Sequence, residues 1–239
     1  MKKTLNIILT ICAVAAFSFT AHAQVIGSVV TVRGIVLDET TRNPASVNLT
    51  FFDEQNKKVN SSRSNVKDGE YLITGLKAGK KYTVQIEHPD FFKAEYVIKL
   101  PPTDKYAEIS RDFLVRPLAK DARMFMRLSP FEAKKSKIRV GVSDVLDEFR
   151  QSLIMNPGVT VEIQCYPDTD ADKTANGKLT AERCKTLQNY FVKGGVADSR
   201  IKIKAFDATD PVNAPPPLSK KMAKGKRYIG STYIVVTKI

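Results

Sequence analysis

The sequence has few of the residues on which most catalytic and metal sites depend. Its 239 residues include no tryptophan, two histidines and three cysteines. His88 is the only histidine beyond the first 23 residues, and no serine or cysteine motif accompanies it, so a histidine-dependent catalytic triad is not expected. The same scarcity leaves too few ligands for a zinc site. We therefore expect no enzymatic activity, no metal and no cofactor.

Long apolar runs are also scarce, and the main one stands near the N-terminus. Two lysines precede the apolar run Ile7–Phe19, and the small residues Ala21 and Ala23 stand where a signal peptidase reads the chain. We predict a signal peptide at residues 1–23, cleaved before Gln24, and export of the remainder. An uncleaved signal anchor is the alternative, although the run is short for a membrane span.

The charge balance is strongly basic. The chain has 38 lysines and arginines against 25 aspartates and glutamates, a formal net charge of +13. In an exported protein this balance favours contact with anionic envelope polymers, such as teichoic or lipopolysaccharide groups or the carboxylates of the cell wall. No nucleic-acid-binding motif accompanies the charge, so we expect no nucleic-acid partner.

The most informative part of the chain begins at the end of a predicted strand. Apolar and polar residues alternate over Val159–Ile163, which predicts a half-buried strand, and Pro167 ends it. Asp168 therefore lies at the exit of the strand, where a side chain can reach a ligand.

A helix follows this strand. Apolar residues recur at spacings of three and four after Thr180, at Cys184, Leu187 and Phe191. We predict that the helix starts with Thr180 as its N-cap and that Arg183 lies in the first turn. A cation there opposes the helix dipole, so the arrangement favours an acidic ligand at this end of the helix.

The segment resembles the OmpA-like peptidoglycan-binding domain, whose signature runs from a strand through T-D and a loop Asn to L-S-x-x-R-A at the start of a helix. The corresponding residues here are Pro167, Asp168, Asn176 and Leu179–Cys184. The resemblance covers roughly Arg123–Ile239. It implies an α+β domain of βαβαβ type, with a mixed sheet and helices on one face.

In that family the aspartate accepts the ammonium of a diaminopimelate side chain, and the arginine binds its carboxylate. The resemblance gives these roles to Asp168 and Arg183, and it adds Asn176 and Thr180 to the candidate peptidoglycan-binding site. Charge-assisted hydrogen bonds of this kind contribute about 1.5–3 kcal/mol each. The alternative is that Asp168 caps a turn and Arg183 forms a surface ion pair.

The segment departs from the family pattern at several positions. Cys165, Tyr166 and Pro167 stand where the family usually has Gly, His and Thr, and Ala205 and Asp207 replace two glycines. The last strand also lacks the family's closing N-R-R-V signature. These departures favour a second interpretation, in which the domain is retained as a scaffold after its site has degenerated.

Two cysteines remain after the predicted cleavage, Cys165 and Cys184. In the family fold both positions lie near the contact between the strand and the helix, so a disulfide between them is possible in an oxidising compartment. The closed loop would stabilise the protein by about 3 kcal/mol in the chain-entropy model. Two buried free thiols are the equal alternative.

The N-terminal half consists of short predicted strands separated by turn residues. Asp68-Gly69 is a turn dipeptide, and Thr83–Glu87 alternates polar and apolar residues, which together predict an all-β sandwich of immunoglobulin or transthyretin type. The half resembles the carboxypeptidase-regulatory-like family over roughly Val29–Pro117, through its G-x-V-x-D, D-G-x-Y and L-x-x-G-x-x-Y elements. These elements specify a fold rather than a ligand. Phe91-Phe92 is either an exposed docking edge or a core or loop anchor.

We predict a multi-domain protein with a signal peptide at residues 1–23, a β-sandwich at 24–118 and the OmpA-like domain at 119–239, with a long loop over Pro211–Arg227. The expected function is noncatalytic: a periplasmic, outer-membrane-associated protein that binds the diaminopimelate stem peptide of peptidoglycan. The sandwich is expected to hold an outer-membrane or periplasmic protein partner. The alternatives are a scaffold subunit of an outer-membrane or secretion assembly and a secreted adhesin.

Overall fold

The computed structural model describes residues 29–214 and 228–239. The predicted signal peptide and residues 215–227 of the predicted loop lie outside this part of the chain. Within it the structure is mostly β, with two α-helices, a short 3-10 helix at Asp198–Arg200 and three four-stranded sheets. No helix of this part combines the length and the apolar character that a membrane crossing requires.

The first half of the described chain forms two sheets from eight strands. The strands are β1 (Val29–Asp38), β2 (Asn48–Phe52), β3 (Lys58–Arg63), β4 (Glu70–Lys77), β5 (Lys81–His88), β6 (Phe91–Lys99), β7 (Ala107–Ser110) and β8 (Phe113–Val115). One sheet has the order β4-β1-β7, with β8 also paired to β1, and the other has the order β3-β2-β5-β6. The pairs of β1 with β7 and β8 are parallel, and the other pairs are antiparallel.

One apolar core lies between these two sheets. Alternate residues of both sheets point into it and are fully or almost fully buried: Val30, Val32, Val36, Leu49, Phe51, Ile73, Val84, Ile86 and Phe113. Gly34 in the G-x-V-x-D element is required by a close approach, because a Cβ atom there would lie 2.0 Å from the carbonyl oxygen of Arg111. The predicted turn at Asp68-Gly69 is present, with Gly69 at φ 74°.

The second half forms a mixed sheet and two helices. Its elements are β9 (Arg123–Phe125), α1 (Ser143–Met155), β10 (Thr160–Cys165), α2 (Lys173–Lys193), β11 (Ile201–Ala205) and β12 (Thr232–Lys238). The sheet order is β11-β10-β12-β9, in which β10 and β11 are parallel and the other pairs antiparallel. This is the expected βαβαβ order followed by one more strand.

Both helices of the second half pack on one face of this sheet. A single buried cluster combines Leu146 and Phe149 of α1 and Leu187 of α2 with Val161 and Ile163 of β10. The opposite face carries a separate cluster of Tyr166, Tyr233 and Val235, against which Phe206 packs. The alternation of β12, with Ile234 and Val236 in the first cluster and Tyr233 and Val235 in the second, therefore divides the domain into a helix-covered side and an aromatic side.

The two halves are joined through the end of the sandwich that carries the start of β6. Phe92, on β6, is 1% exposed and belongs to the core cluster of the second half. Next to it, the side chain of Asn156 accepts from the backbone N–H of Lys93 at 3.1 Å and donates to its carbonyl oxygen at 3.0 Å. Core packing is therefore the role that the structure assigns to Phe92.

A buried arginine adds to the same interface. Arg116 pairs with Glu39 of the first half at 2.8 Å, and it donates to the hydroxyl of Ser152 on α1 at 3.0 Å. Its guanidinium also lies 4.5 Å from the centre of the Phe149 ring. One cation thus links the sandwich to α1 by an ion pair, a hydrogen bond and a ring contact.

We predict that Phe92→Ala lowers the free energy of unfolding by about 3–5 kcal/mol, because it leaves a cavity in a core built from both halves. Val97 lies on the same strand but is 55% exposed, so Val97→Ala is the matched control and should cost about 1 kcal/mol or less. Urea denaturation followed by circular dichroism measures both changes. Equal losses for the two variants would contradict the role given to Phe92.

Candidate functional site

The helix that carries the candidate site starts earlier than the sequence pattern predicts. α2 begins at Lys173, and its N-cap is Asp172, whose carboxylate accepts from the backbone N–H of Ala175 at 3.0 Å. The prediction that Thr180 caps the helix is therefore wrong. The first two turns are mostly polar and exposed, so they lack the apolar periodicity from which the start was inferred.

This correction changes the electrostatic argument for Arg183. The residue lies well inside α2 and not in its first turn, so its charge does not oppose the dipole at the helix N-terminus. The local reason given for an acidic ligand at that end is wrong. The contacts of the Arg183 guanidinium come instead from segments that pack against α2.

Asp168 and Arg183 face each other across the exit of β10. Arg183 Nη1 donates to Asp168 Oδ1 at 2.7 Å, and Nη2 donates to Oδ2 at 3.0 Å. The side chains are 6% and 1% exposed, respectively. They form a buried, bidentate ion pair, which replaces the surface ion pair considered as the alternative.

Backbone groups complete the coordination of the carboxylate. Gly230, just before β12, donates its N–H to Asp168 Oδ1 at 2.7 Å, and Lys134 donates its N–H to Oδ2 at 2.6 Å. Each carboxylate oxygen thus accepts one bond from Arg183 and one from the main chain. Asp168 has no oxygen left without a partner.

The loop between β9 and α1 covers the pair, and we call residues 129–139 the covering loop. Arg183 donates from Nε to the carbonyl oxygen of Lys135 at 2.9 Å and from Nη2 to that of Glu132 at 3.1 Å. The ring centre of Phe131 lies 5.3 Å from the guanidinium. The backbone of Lys134 adopts a positive φ of 61°. This conformation costs about 1–2 kcal/mol for a residue with a side chain.

These contacts set the protonation of the carboxyl group. Burial favours the neutral form of Asp168, but the hydrogen bonds from Arg183, Gly230 and Lys134 outweigh it and hold the pKa of Asp168 below its ordinary value. The group is therefore a carboxylate at neutral pH, matched by one guanidinium.

The other two candidate residues bind backbone carbonyl groups. Asn176 Nδ2 donates to the carbonyl oxygen of Thr169 at 2.6 Å and lies 3.1 Å from that of Asp207. The hydroxyl of Thr180 lies 2.8 Å from the carbonyl oxygen of Phe206. Both side chains are buried and tie α2 to the loops that follow β10 and β11. They position those loops and are not open to solvent.

The two cysteines are free and buried, as in the free-thiol alternative. Burial, followed by contact with the neighbouring thiol of Cys184, raises the pKa of the Cys165 thiol. Cys184 Sγ also lies 3.4 Å from the carbonyl oxygen of Ile163. The disulfide considered from the sequence is thus not formed in this structure, and the thiols fill the contact between β10 and α2.

Sequence reasoning missed the backbone partners of the pair, in Glu132, Lys134, Lys135 and Gly230. No residue-type signal marks the first three, because they contribute only main-chain atoms. Gly230 did offer a sequence signal, because a glycine beside a strand often marks a close approach of another backbone segment. A Cβ atom there would lie 1.9 Å from the carbonyl oxygen of Tyr166.

We predict that Asp168→Asn lowers the free energy of unfolding at neutral pH by about 3–5 kcal/mol, because it leaves the buried Arg183 without a counter-ion. The depressed pKa makes the stabilisation by this carboxylate complete above the unfolded-state value, about 3.9, and lost as the pH falls through the folded-state value. The gap between wild type and variant should hold down to about pH 4 and narrow below it.

Urea denaturation at a series of pH values measures this gap. Asp144→Asn, at an exposed position in the first turn of α1, controls for the general effect of removing one carboxylate. A gap for Asp168→Asn that stays constant into strong acid would contradict the assigned role of its charge.

A comparison with protein families finds the OmpA family at residues 130–224. The matched range contains Asp168, Asn176, Thr180 and Arg183, and it covers less than half of the chain. No curated protein matches the chain.

Several solved structures show weak similarity. The TIE protein of Bacillus anthracis is 17% identical, with 38% of this chain and 18% of that one covered and a TM-score of 0.33. A hydroxyquinol 1,2-dioxygenase from Pseudomonas putida is 12% identical, with coverages of 38% and 57% and a TM-score of 0.30. The shaft pilin SpaA from Lactobacillus rhamnosus is 11% identical, with coverages of 38% and 48% and a TM-score of 0.31.

The chain spans less than two thirds of each of these structures, and their TM-scores are too low to support an inference about fold or function. The comparisons therefore establish one thing: residues 130–224, a range that contains both Asp168 and Arg183, match the OmpA family.

Proposed function

We propose that this chain is a noncatalytic cell-envelope protein that binds peptidoglycan noncovalently through the diaminopimelate of its stem peptide and tethers an envelope partner. The observation that carries the proposal is the direct contact of Asp168 and Arg183 inside the range that matches the OmpA family. In this proposal the protein acts in the periplasm, at the outer membrane, and the first half binds the protein partner.

The chemistry of the pair suits a zwitterionic ligand. The free end of diaminopimelate carries one ammonium and one carboxylate, which are the counter-charges of Asp168 and Arg183. A ligand that separates the pair therefore replaces each charge contact with an equivalent one and leaves no buried charge unpaired. A ligand of a single charge would strand either the carboxylate or the guanidinium, at a cost of several kcal/mol.

Binding also requires the covering loop to move away from Asp168 and Arg183. The backbone groups of Lys134 and Lys135 occupy positions on Asp168 and Arg183 that a ligand would need. Part of the binding energy must then be spent on displacing this loop, so affinity for a single stem peptide is modest. Many stems in one wall compensate through effective concentration.

A second function, as a scaffold subunit of an envelope assembly, is favoured by a specific observation. The carboxylate of Asp168 has every oxygen occupied, and the guanidinium of Arg183 is buried under the covering loop. Such a pair stabilises the domain whether or not a ligand binds. In this alternative the pair is purely structural and the wall is not a ligand.

We predict that the chain from Gln24 onward pellets with purified peptidoglycan sacculi and that Arg183→Lys, Arg183→Ala and Asp168→Ala abolish the binding. Lysine keeps the charge but lacks the planar fork that matches a carboxylate. Free meso-diaminopimelate should compete with the sacculi. Measurements at low and moderate salt separate this binding from general charge attraction.

Because these variants disturb a buried pair, a control for stability is needed. Arg200 is partly buried and, like Arg183, donates to main-chain acceptors: its guanidinium binds the carbonyl oxygens of Val159 and Leu153, each at 2.8 Å, away from the candidate site. Arg200→Lys should lower the melting temperature as Arg183→Lys does, yet still pellet with sacculi. If folded Asp168 and Arg183 variants pellet as well as wild type, the scaffold function replaces wall binding.

A further inference from the structure

The lysines of the first half are concentrated at one end of its two sheets. Register pairs Val29 with Lys77 and Lys81 with Lys99 at this end, where β1 and β5 begin and β4 and β6 finish. We call this end the lysine tip, and it comprises residues 53–58, 77–81 and 99–106 from three connections. The opposite end, with the start of β6, is the one that packs against the second half.

Charge is segregated along the sandwich. The lysine tip carries three carboxylates, in Asp53, Glu54 and Asp104, and it carries seven lysines, namely Lys57, Lys58, Lys77, Lys80, Lys81, Lys99 and Lys105. The remainder of residues 29–117 has seven basic and nine acidic side chains. The excess of positive over negative charge in the first half therefore lies at this one end and is not spread evenly over its surface.

The tip lysines are free to meet a partner. All seven are exposed, and none forms an ion pair with another described residue. The carboxylate of Asp53 is occupied within its own turn, where it accepts from the N–H groups of Gln55 at 3.0 Å and Lys57 at 2.9 Å. The tip thus keeps a formal net charge of +4, from seven lysines and three carboxylates, and no described ion pair holds its lysines.

The shape of the tip indicates an extended partner. Five of the lysines line an open cleft of about 480 Å³ between the β2–β3 and β4–β5 connections: Lys57, Lys58, Lys77, Lys80 and Lys81. Asp53 and Glu54 line the cleft beside these exposed lysines, so its described lining residues form no set of buried donors suited to one small anion. Tyr106 stands beside Lys105 on the third connection and is 65% exposed, and tyrosine is a residue type enriched at membrane–water interfaces.

We propose that the lysine tip docks on an anionic lipid membrane surface. Ammonium groups from three connections would meet the headgroup phosphates, and Tyr106 would enter the interfacial layer. A membrane presents many phosphates in one plane, which matches several lysines at one end of a rigid sandwich better than a single anion does. The docking surface lies away from the second half, so it can act while that half contacts another partner.

The test is vesicle cosedimentation of the chain from Gln24 onward, which contains every described residue. Vesicles of phosphatidylcholine alone are compared with vesicles of equal parts phosphatidylglycerol and phosphatidylcholine. The tip variant is Lys57→Gln, Lys58→Gln, Lys80→Gln and Lys81→Gln combined. The matched control removes the same charge from exposed lysines of the second half, as Lys173→Gln, Lys178→Gln, Lys193→Gln and Lys202→Gln.

We expect wild type to bind only the anionic vesicles, the tip variant to bind them at least about tenfold more weakly and the control to stay within about twofold of wild type. Equal weakening of both variants, or none in the tip variant, would overturn the proposal. Displacement from vesicles by equimolar soluble polyphosphate would overturn it in favour of a phosphate polymer. The tip variant should still pellet with sacculi, so this test and that of wall binding fail separately.

Discussion

A buried ion pair organises the second half of the protein. Asp168 enters from the exit of β10 and Arg183 from the middle of α2, while the covering loop and Gly230 supply main-chain partners. Segments from four places in the sequence therefore meet at one carboxylate and one guanidinium. Since each charge is satisfied only while the other is present, removing one partner leaves an uncompensated buried charge, which is among the costliest single changes in a folded domain.

The same constraint links stability to recognition. A ligand for this site must restore both charges that it separates, and a zwitterion does so without leaving either one unpaired. In the proposed binding, the backbone contacts from the covering loop would add a conformational step before a ligand reaches the pair. Loss of binding in a variant of this pair is therefore informative only when its folding is measured beside that of a variant of another arginine held by main-chain carbonyl oxygens, such as Arg200.

The two ends of the first half differ in their contacts and their charge. One end is anchored in the second half through Phe92, Asn156 and Arg116, where apolar packing, paired backbone hydrogen bonds and a buried cation act together. The other end has seven lysines without ion-pair partners in the described chain. A sandwich attached at one end and charged at the other can hold the second half at a distance from an anionic surface.

The sequence by itself determined those features that have a local period or turn chemistry. These include the alternating strand at Thr160–Cys165, the position of Asp168 beyond it and the short strands of the first half. The sequence pattern did not predict the start of α2, because the exposed first turns of this helix carry no apolar repeat. Only the tertiary structure decided that Asp168 and Arg183 bind each other, that Phe92 packs in the other half and that the covering loop closes the site. Such contacts join distant segments, often through main-chain atoms that every residue shares, so no residue pattern records them.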